Sequence, residues 1–166
     1  MILYIIRHAI AEQAGHADDS QRALTDKGRK KLRKIAKGLK ALEKPIDLIL
    51  TSPYLRATQT AEIMAKALHL EADRIVETDH LAPAGFPDKL IDMINETYGE
   101  VENIAIIGHE PYLSSLASML IAGDPDLSLI LKKGGICCLS IEKLEYARCA
   151  NLNWLLSPAQ LVEIGE

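Results

Sequence analysis

Three short apolar runs in this chain each stop at residues that could do chemistry. Leu3-Tyr4-Ile5-Ile6 stops at Arg7-His8, Ile46 to Thr51 at Ser52-Pro53-Tyr54-Leu55-Arg56, and Asn103 to Ile107 at Gly108-His109. Taken singly, each reads equally well as a strand end finished by solvated polar groups. As strands of one parallel sheet, however, they would end on the same edge, where an open α/β sheet holds its reactive groups. Two histidines and two arginines would then meet there. Such a concentration of positive charge is costly unless an anion neutralises it. A phosphoryl group fits, because the planar fork of arginine matches its oxygens and leaves the third equatorial oxygen for another donor. Helices that begin after Ser52 and after Glu110 would point their dipoles the same way.

The elements that must position these groups can be read from pattern. An Ile-rich run as short as Leu3–Ile6 suits a central strand buried on both faces. Ala11 to Ala23 is polar and contains glycine, so it forms a loop beside the Arg7-His8 tip. Thr25 is an N-cap candidate for a helix whose Leu32, Ile35, Ala36, Leu39 and Leu42 make an apolar stripe. The Lys30, Lys31, Arg33, Lys34, Lys37 and Lys40 of that helix read as a solvated outer face rather than a nucleic-acid patch. Pro45 ends the helix and Ile46–Thr51 supplies the second strand. A second helix runs from about Leu55 to Leu68, with Ala57, Ala61, Met64, Ala65 and Leu68 inward. Ile75–Thr78 is a short third strand. Leu81 to Pro87 is irregular, and Leu90, Ile91, Ile94 and Tyr98 mark a helix from about Asp88. The run at Asn103–Gly108 is a strand, followed by a helix with Leu113, Leu116, Ala117 and Leu120 inward that Gly123 closes. Gly134–Ile141 and Arg148–Leu156 are two more strands, a hairpin at one edge. Strands alternating with helices predict an α/β fold, a three-layer α/β/α sandwich around a mainly parallel sheet.

Composition bounds the partners. A chain of 166 residues, 48% apolar and 25% charged, suits one domain spanning 1–166 with a substantial core. The net charge of −4 argues against nucleic acid as a partner. With no basic stretch ahead of the first apolar residues and no run of membrane-spanning length, a cytoplasmic protein without membrane partners is expected. Cys137, Cys138 and Cys149 are odd in number and lack paired zinc-ligand spacing, so reduced core thiols are expected. No two of His8, His16, His69, His80 and His109 stand three or four apart, so a helix-borne zinc pair is absent; His16 and His69 read as surface residues. Asp124-Pro125-Asp126-Leu127-Ser128 has the look of an aspartate-phosphatase nucleophile motif, but it follows a helix and Gly123 and reads as a turn. No arginine stands six residues after any cysteine, which excludes a cysteine-phosphatase loop.

The ordered set Arg7-His8, Ser52-Pro53-x-x-Arg56-Ala57-x-Gln59-Thr60 and Gly108-His109 resembles the histidine phosphatase superfamily, which includes the phosphoglycerate mutases. Arg22-x-Leu24-Thr25-x-x-Gly28, Leu81-x-Pro83-x-Gly85 and Asn153-Trp154-x-x-Ser157-Pro158, with the short length, resemble its SixA-type phosphohistidine phosphatases. The resemblance implies a phosphoglycerate mutase-like fold, His8 as nucleophile carrying a transient phosphoryl group, Arg7 and Arg56 as phosphate clamps, and His109 as a stabiliser of equatorial charge, protonated when phosphate is bound. It implies no metal or other cofactor, the cations taking that role. The implied partner is a phosphorylated protein, either a histidine phosphotransfer domain or a phosphocarrier. Ser52 and Gln59 are candidates to support these groups, Ser52 equally as a helix cap.

Two departures bear on function. The family carries glycine after its nucleophilic histidine, whereas this chain has Ala9, whose methyl is tolerated if φ there is negative. The larger mutase-like members have an acidic proton donor near the segment that here reads Leu81-Ala82-Pro83. Its absence favours an imidazole over an alkoxide as leaving group, hence phosphohistidine as substrate. Glu12, Asp79, His80 and Glu110 are the remaining candidate donors. A small-molecule phosphomonoesterase on the same scaffold and a non-catalytic phosphate-binding module are the competing readings.

Overall fold

The computed structural model describes residues 1–15 and 18–166; His16 lies outside the described residues. Among these there are six strands and five α-helices: β1 (Ile2–Arg7), α1 (Asp26–Ala41), β2 (Leu48–Thr51), α2 (Leu55–Leu68), β3 (Ile75–Glu77), α3 (Pro87–Tyr98), β4 (Asn103–Gly108), α4 (Tyr112–Ala122), β5 (Ile136–Ile141), β6 (Ala150–Leu156) and α5 (Pro158–Ile164). They form one sheet in the order β3-β2-β4-β1-β5-β6. The first four strands pair in parallel, and β5 and β6 add on antiparallel. The expected three-layer α/β/α fold with a mainly parallel sheet is the one observed.

Strand alternation explains the layering. In β1, Tyr4 and Ile6 face one core with Ile49, Ala105 and Ile107, and this core is closed by α1, α2 and α5. Leu3 and Ile5 face the other with Leu50, Ile104 and Ile106, closed by α3 and α4. Each inner strand is therefore buried on both faces, which is why its sequence is an unbroken apolar run. Cys137 and Cys138 face opposite cores on β5 and are buried, while Cys149 is half-buried.

Thr25 caps α1 as expected, its Oγ1 accepting from the Gly28 N–H at 3.0 Å. Gly28 itself is required by proximity, since a Cβ there would lie 2.1 Å from the Ile10 carbonyl oxygen. α1 thus sits directly on the chain leaving β1. The sequence reading missed α5. Its signal is Ser157-Pro158-x-Gln160, a capping box with proline in the first turn. Its Leu161 completes the core under α1. The contact is close enough that a Cβ at Gly38 would meet the Leu161 carbonyl oxygen. Asp124–Asp126 is an exposed turn, with Asp124 Oδ1 accepting from the Asp126 N–H. Among the described residues no helix is long and apolar enough to cross a membrane.

Candidate functional site

Sheet register brings the three strand ends together. Arg7 pairs with Gly108 across β1 and β4, and Thr51 with Ile107 across β2 and β4. The backbone continues this pairing past the strands: His8 N–H donates to the Gly108 carbonyl at 3.1 Å and Ser52 N–H to that of Ile107 at 2.9 Å. His8, Ser52 and His109 therefore lie side by side just past the C-terminal ends of β1, β2 and β4, and all three are buried.

The two histidine rings lie with centroids 5.2 Å apart. His8 Nδ1 is 2.7 Å from the Ala9 carbonyl oxygen, an acceptor only, so Nδ1 carries the proton and Nε2 keeps its lone pair. Burial, with lesser contributions from the Arg56, Arg7 and Lys133 charges, lowers the His8 pKa to about 4 despite that hydrogen bond. At neutral pH the ring is an uncharged base. Burial and the neighbouring His8 and Arg56 lower His109 to about 3 in the same way. His109 Nε2 stands 2.8 Å from Ser52 Oγ. That hydroxyl also accepts from the Tyr54 N–H at 3.3 Å. His109 Nδ1 is buried without a partner.

The arginines show the same pattern. Arg7 donates from Nη1 to the Leu131 carbonyl at 3.0 Å. Arg56 donates from Nη1 to the Asp19 carbonyl at 2.8 Å and from Nη2 to Asp19 Oδ2 at 3.0 Å, with its guanidinium over the Tyr54 ring. Each is gripped by its outer nitrogens, and the Nε of each is buried with no partner. An unpaired buried donor is expensive, and the two arginines that carry these stand close enough to the buried histidines for their charges to lower the His8 pKa. Such a set matches an oxyanion with several acceptor oxygens.

All four residues expected from sequence are brought together: Arg7, His8, Arg56 and His109. Ser52 holds His109 and is not the cap of α2, whose N-cap is Tyr54. Gln59 does not reach the cluster; its Oε1 accepts from the Leu24 N–H at 2.8 Å and fastens the loop before α1 to α2. Of the candidate proton donors, Glu110 is engaged in the first turn of α4 with the Ser114 N–H. Asp79 and His80 lie in the 3₁₀ turn after β3. Ala9 is absent from the residues with positive φ and its side chain packs into the core, so alanine is accommodated there without strain.

Sequence reasoning missed Asp19. Its carboxylate joins Arg56 to Arg22, whose Nε lies 2.6 Å from Oδ1. The hydrogen bond from Arg22, and then that from Arg56, hold its carboxyl below the usual range. The available signal was indirect: a buried arginine on the inner side of a helix needs a counter-charge, and Asp19 supplies it from a polar loop with its own side chain half exposed.

The comparisons with known proteins agree with this geometry. Residues 3–82 match the family model of the histidine phosphatase superfamily (branch 1). An uncharacterized protein of Picosynechococcus sp. is 36% identical over 82% of both chains. The phosphohistidine phosphatase SixA of Escherichia coli is 28% identical, covering 97% of this chain and 96% of its own. The chain belongs to the histidine phosphatase superfamily. Its fold superposes on the solved structure of the protein histidine phosphatase SixA complexed with tungstate at a TM-score of 0.85, over 97% of this chain and 99% of that one. As a member of this phosphatase family, it presents at its sheet edge the Arg-His, Arg and His that the resemblance assigns to phosphoryl transfer.

Proposed function

We infer that this phosphatase removes the phosphoryl group from a phosphohistidine on a protein, by way of a covalent intermediate on His8 and without a metal ion. The observation that carries the reading is a buried pair of histidines with ring centroids 5.2 Å apart, beside the charges of Arg56 and Arg7, in which His8 Nδ1 is spent on Ala9 and Nε2 keeps its lone pair. In the first step the His8 Nε2 lone pair forms a bond to phosphorus while the substrate's phosphorus–nitrogen bond breaks. The departing imidazole keeps the bonding pair and takes up a proton. In the second step water attacks phospho-His8, inorganic phosphate leaves, and Nε2 recovers its lone pair. Donors aimed at the equatorial oxygens stabilise both transition states, a contribution of order 3 kcal/mol for each well-placed donor. The cationic cluster takes the charge-neutralising part that magnesium plays in other phosphoryl-transfer enzymes. A chelator such as EDTA is therefore expected to leave turnover unchanged.

The preference for phosphohistidine over phosphate esters rests on two supports: likeness to SixA across nearly the whole chain, and the lack of a carboxylate in Leu81-Ala82-Pro83 to protonate an alkoxide. Its partner would be a histidine phosphotransfer domain or a phosphocarrier protein. The test pairs kcat/KM on a phosphohistidine protein with kcat/KM on a panel of sugar phosphates. Higher values on the sugar phosphates would overturn the substrate reading and leave the nucleophile in place. Separately, an acid-labile phosphoenzyme should form in rapid quench and vanish in His8→Ala. Undiminished hydrolysis by His8→Ala would remove His8 from the mechanism.

A further inference from the structure

The outer face of α1 is absorbed by none of the preceding chemistry. Eight of the 19 lysines and arginines of the chain lie in this one helix beside a single acid, Asp26, so the helix carries +7 in a chain of net −4 and the remainder carries −11. Like charges stand three and four apart along its whole length, as in Lys27, Lys30, Lys34 and Lys37, an arrangement that opposes helix formation. Among the described residues no lysine or arginine of α1 makes an ion pair. A merely solvated helix gains nothing from such a segregation.

What the helix borders gives the charge a shape. Between α1 and α5 runs a groove of about 750 Å³ lined by Lys27, Lys30, Lys31, Lys34, Ala159 and Val162. Four ammonium groups and no carboxylate line it. Val162 packs against the core and, with Ala159, gives the groove an apolar part. On the other flank of α1 a second groove of about 590 Å³ is also basic but includes Glu62.

We propose that the α1–α5 groove is a docking site for an acidic protein segment whose carboxylates alternate with apolar side chains. Carboxylates answer the lysines, and an apolar side chain covers Ala159 and Val162, the pairing of charge and buried area by which grooves take peptide segments. A phosphate polymer would satisfy the lysines but give the apolar lining nothing to cover. The −11 remainder also repels extended polyanions that reach past the helix. The inference stands independently of the substrate reading above.

The test uses the full chain and a short fluorescein-labelled peptide rich in Asp and Glu with interspersed leucines, titrated by fluorescence polarisation at near-physiological salt. Saturable binding is expected, weakened at least about tenfold in Lys30→Glu/Lys34→Glu and weakened again when the leucines are replaced by serine. Amide shifts in NMR should cluster on α1 and α5. Circular dichroism of the variant should be unchanged, since glutamate is an equally good helix former and relieves the repulsion. Three results would each overturn the proposal: no saturable binding, equal affinity in the double variant, or equal affinity of the serine peptide, a DNA duplex or phosphatidylserine vesicles.

Discussion

Two groups of basic side chains divide this molecule. At the C-terminal edge of the sheet, Arg56 and His109 are each 3% exposed, and every outer nitrogen that the fold grips has one named acceptor. On the outer face of α1, most of the eight basic side chains are exposed and none is ion-paired among the described residues. The charges of the first group are few, dry and aimed, so each acts at short range in a low dielectric. Those of the second are many, wet and mobile, and salt screens them beyond about 10 Å. A tight single-anion site needs the first arrangement; broad attraction of an acidic surface needs only the second.

The comparison is broken most severely at Arg56. Arg56→Ala removes one Nε donor and strands the Asp19 carboxylate, so kcat/KM should fall by about 10²–10³. Arg56→Lys should recover little, because the three donors of an ammonium radiate from one nitrogen and cannot span the two Asp19 acceptors and the phosphoryl oxygens as the planar fork does. Steady-state kinetics of both variants decide it. Full recovery by lysine would mean that charge alone, and not the fork, is used.

Next in size is the pH response of the buried pair. His8 and His109 are held near 4 and near 3, below the 6.5 of an unfolded histidine. Between those values the unfolded chain binds protons that the folded chain does not, so stability is full above about 6.5 and falls as pH drops through that window toward 4. Each histidine contributes a slope of at most about 1.4 kcal/mol per pH unit. Thermal unfolding from pH 7 to pH 4.5 should show this loss, and His8→Gln/His109→Gln should flatten it. Saturating phosphate or tungstate should reduce it as well, because an anion favours the protonated His109. The exposed lysines of α1 stay charged throughout and contribute nothing in this range.

Much of the buried group was legible in the chain. Apolar runs that stop at Arg7-His8, Ser52 and Gly108-His109 fix both the strands and the edge on which the polar residues meet, because a parallel sheet leaves little choice of where strand ends go. Thr25 and Gly123 marked helix ends through capping chemistry that is local. What could not be read was non-local or side-chain-specific. That Ser52 faces His109 rather than capping α2 depends on a rotamer. That Asp19 reaches Arg56 depends on the path of a polar loop, and α5 is too short for periodicity to reveal. The doubt attached to Ala9 turned on φ, which the sequence does not record.

Asp19 tests how far the grip on Arg56 matters apart from Arg56 itself. Asp19→Asn keeps the backbone carbonyl that accepts from Nη1 and weakens only the contact at Nη2 and the link to Arg22. A loss of about tenfold in kcat/KM is expected, carried mainly by KM, which corresponds to a misaimed clamp rather than a missing one. The charge of Asp19 also favours protonation of His109, so the limb of the pH–rate profile that His109 sets should move to lower pH in this variant. A fall in kcat equal to that of Arg56→Ala would instead place the carboxylate in the chemistry.

The smallest effect separates the two groups most cleanly. Lys30→Glu places an acid three and four residues from Lys27, Arg33 and Lys34, turning three repulsions into attractions against the loss of one attraction to Asp26, each worth about 0.2–0.5 kcal/mol. The melting temperature should therefore rise by a degree or so at low salt, of the order that ~0.5 kcal/mol gives in a chain of this size. The gain should disappear near 1 M salt, where the Debye length is about 3 Å. Phosphatase turnover should be the same in variant and wild type at either salt concentration, since no residue of this face touches the histidine cluster. If Lys30→Glu lowers turnover on a small phosphate ester, the field of α1 reaches the site and the two groups of basic side chains act as one.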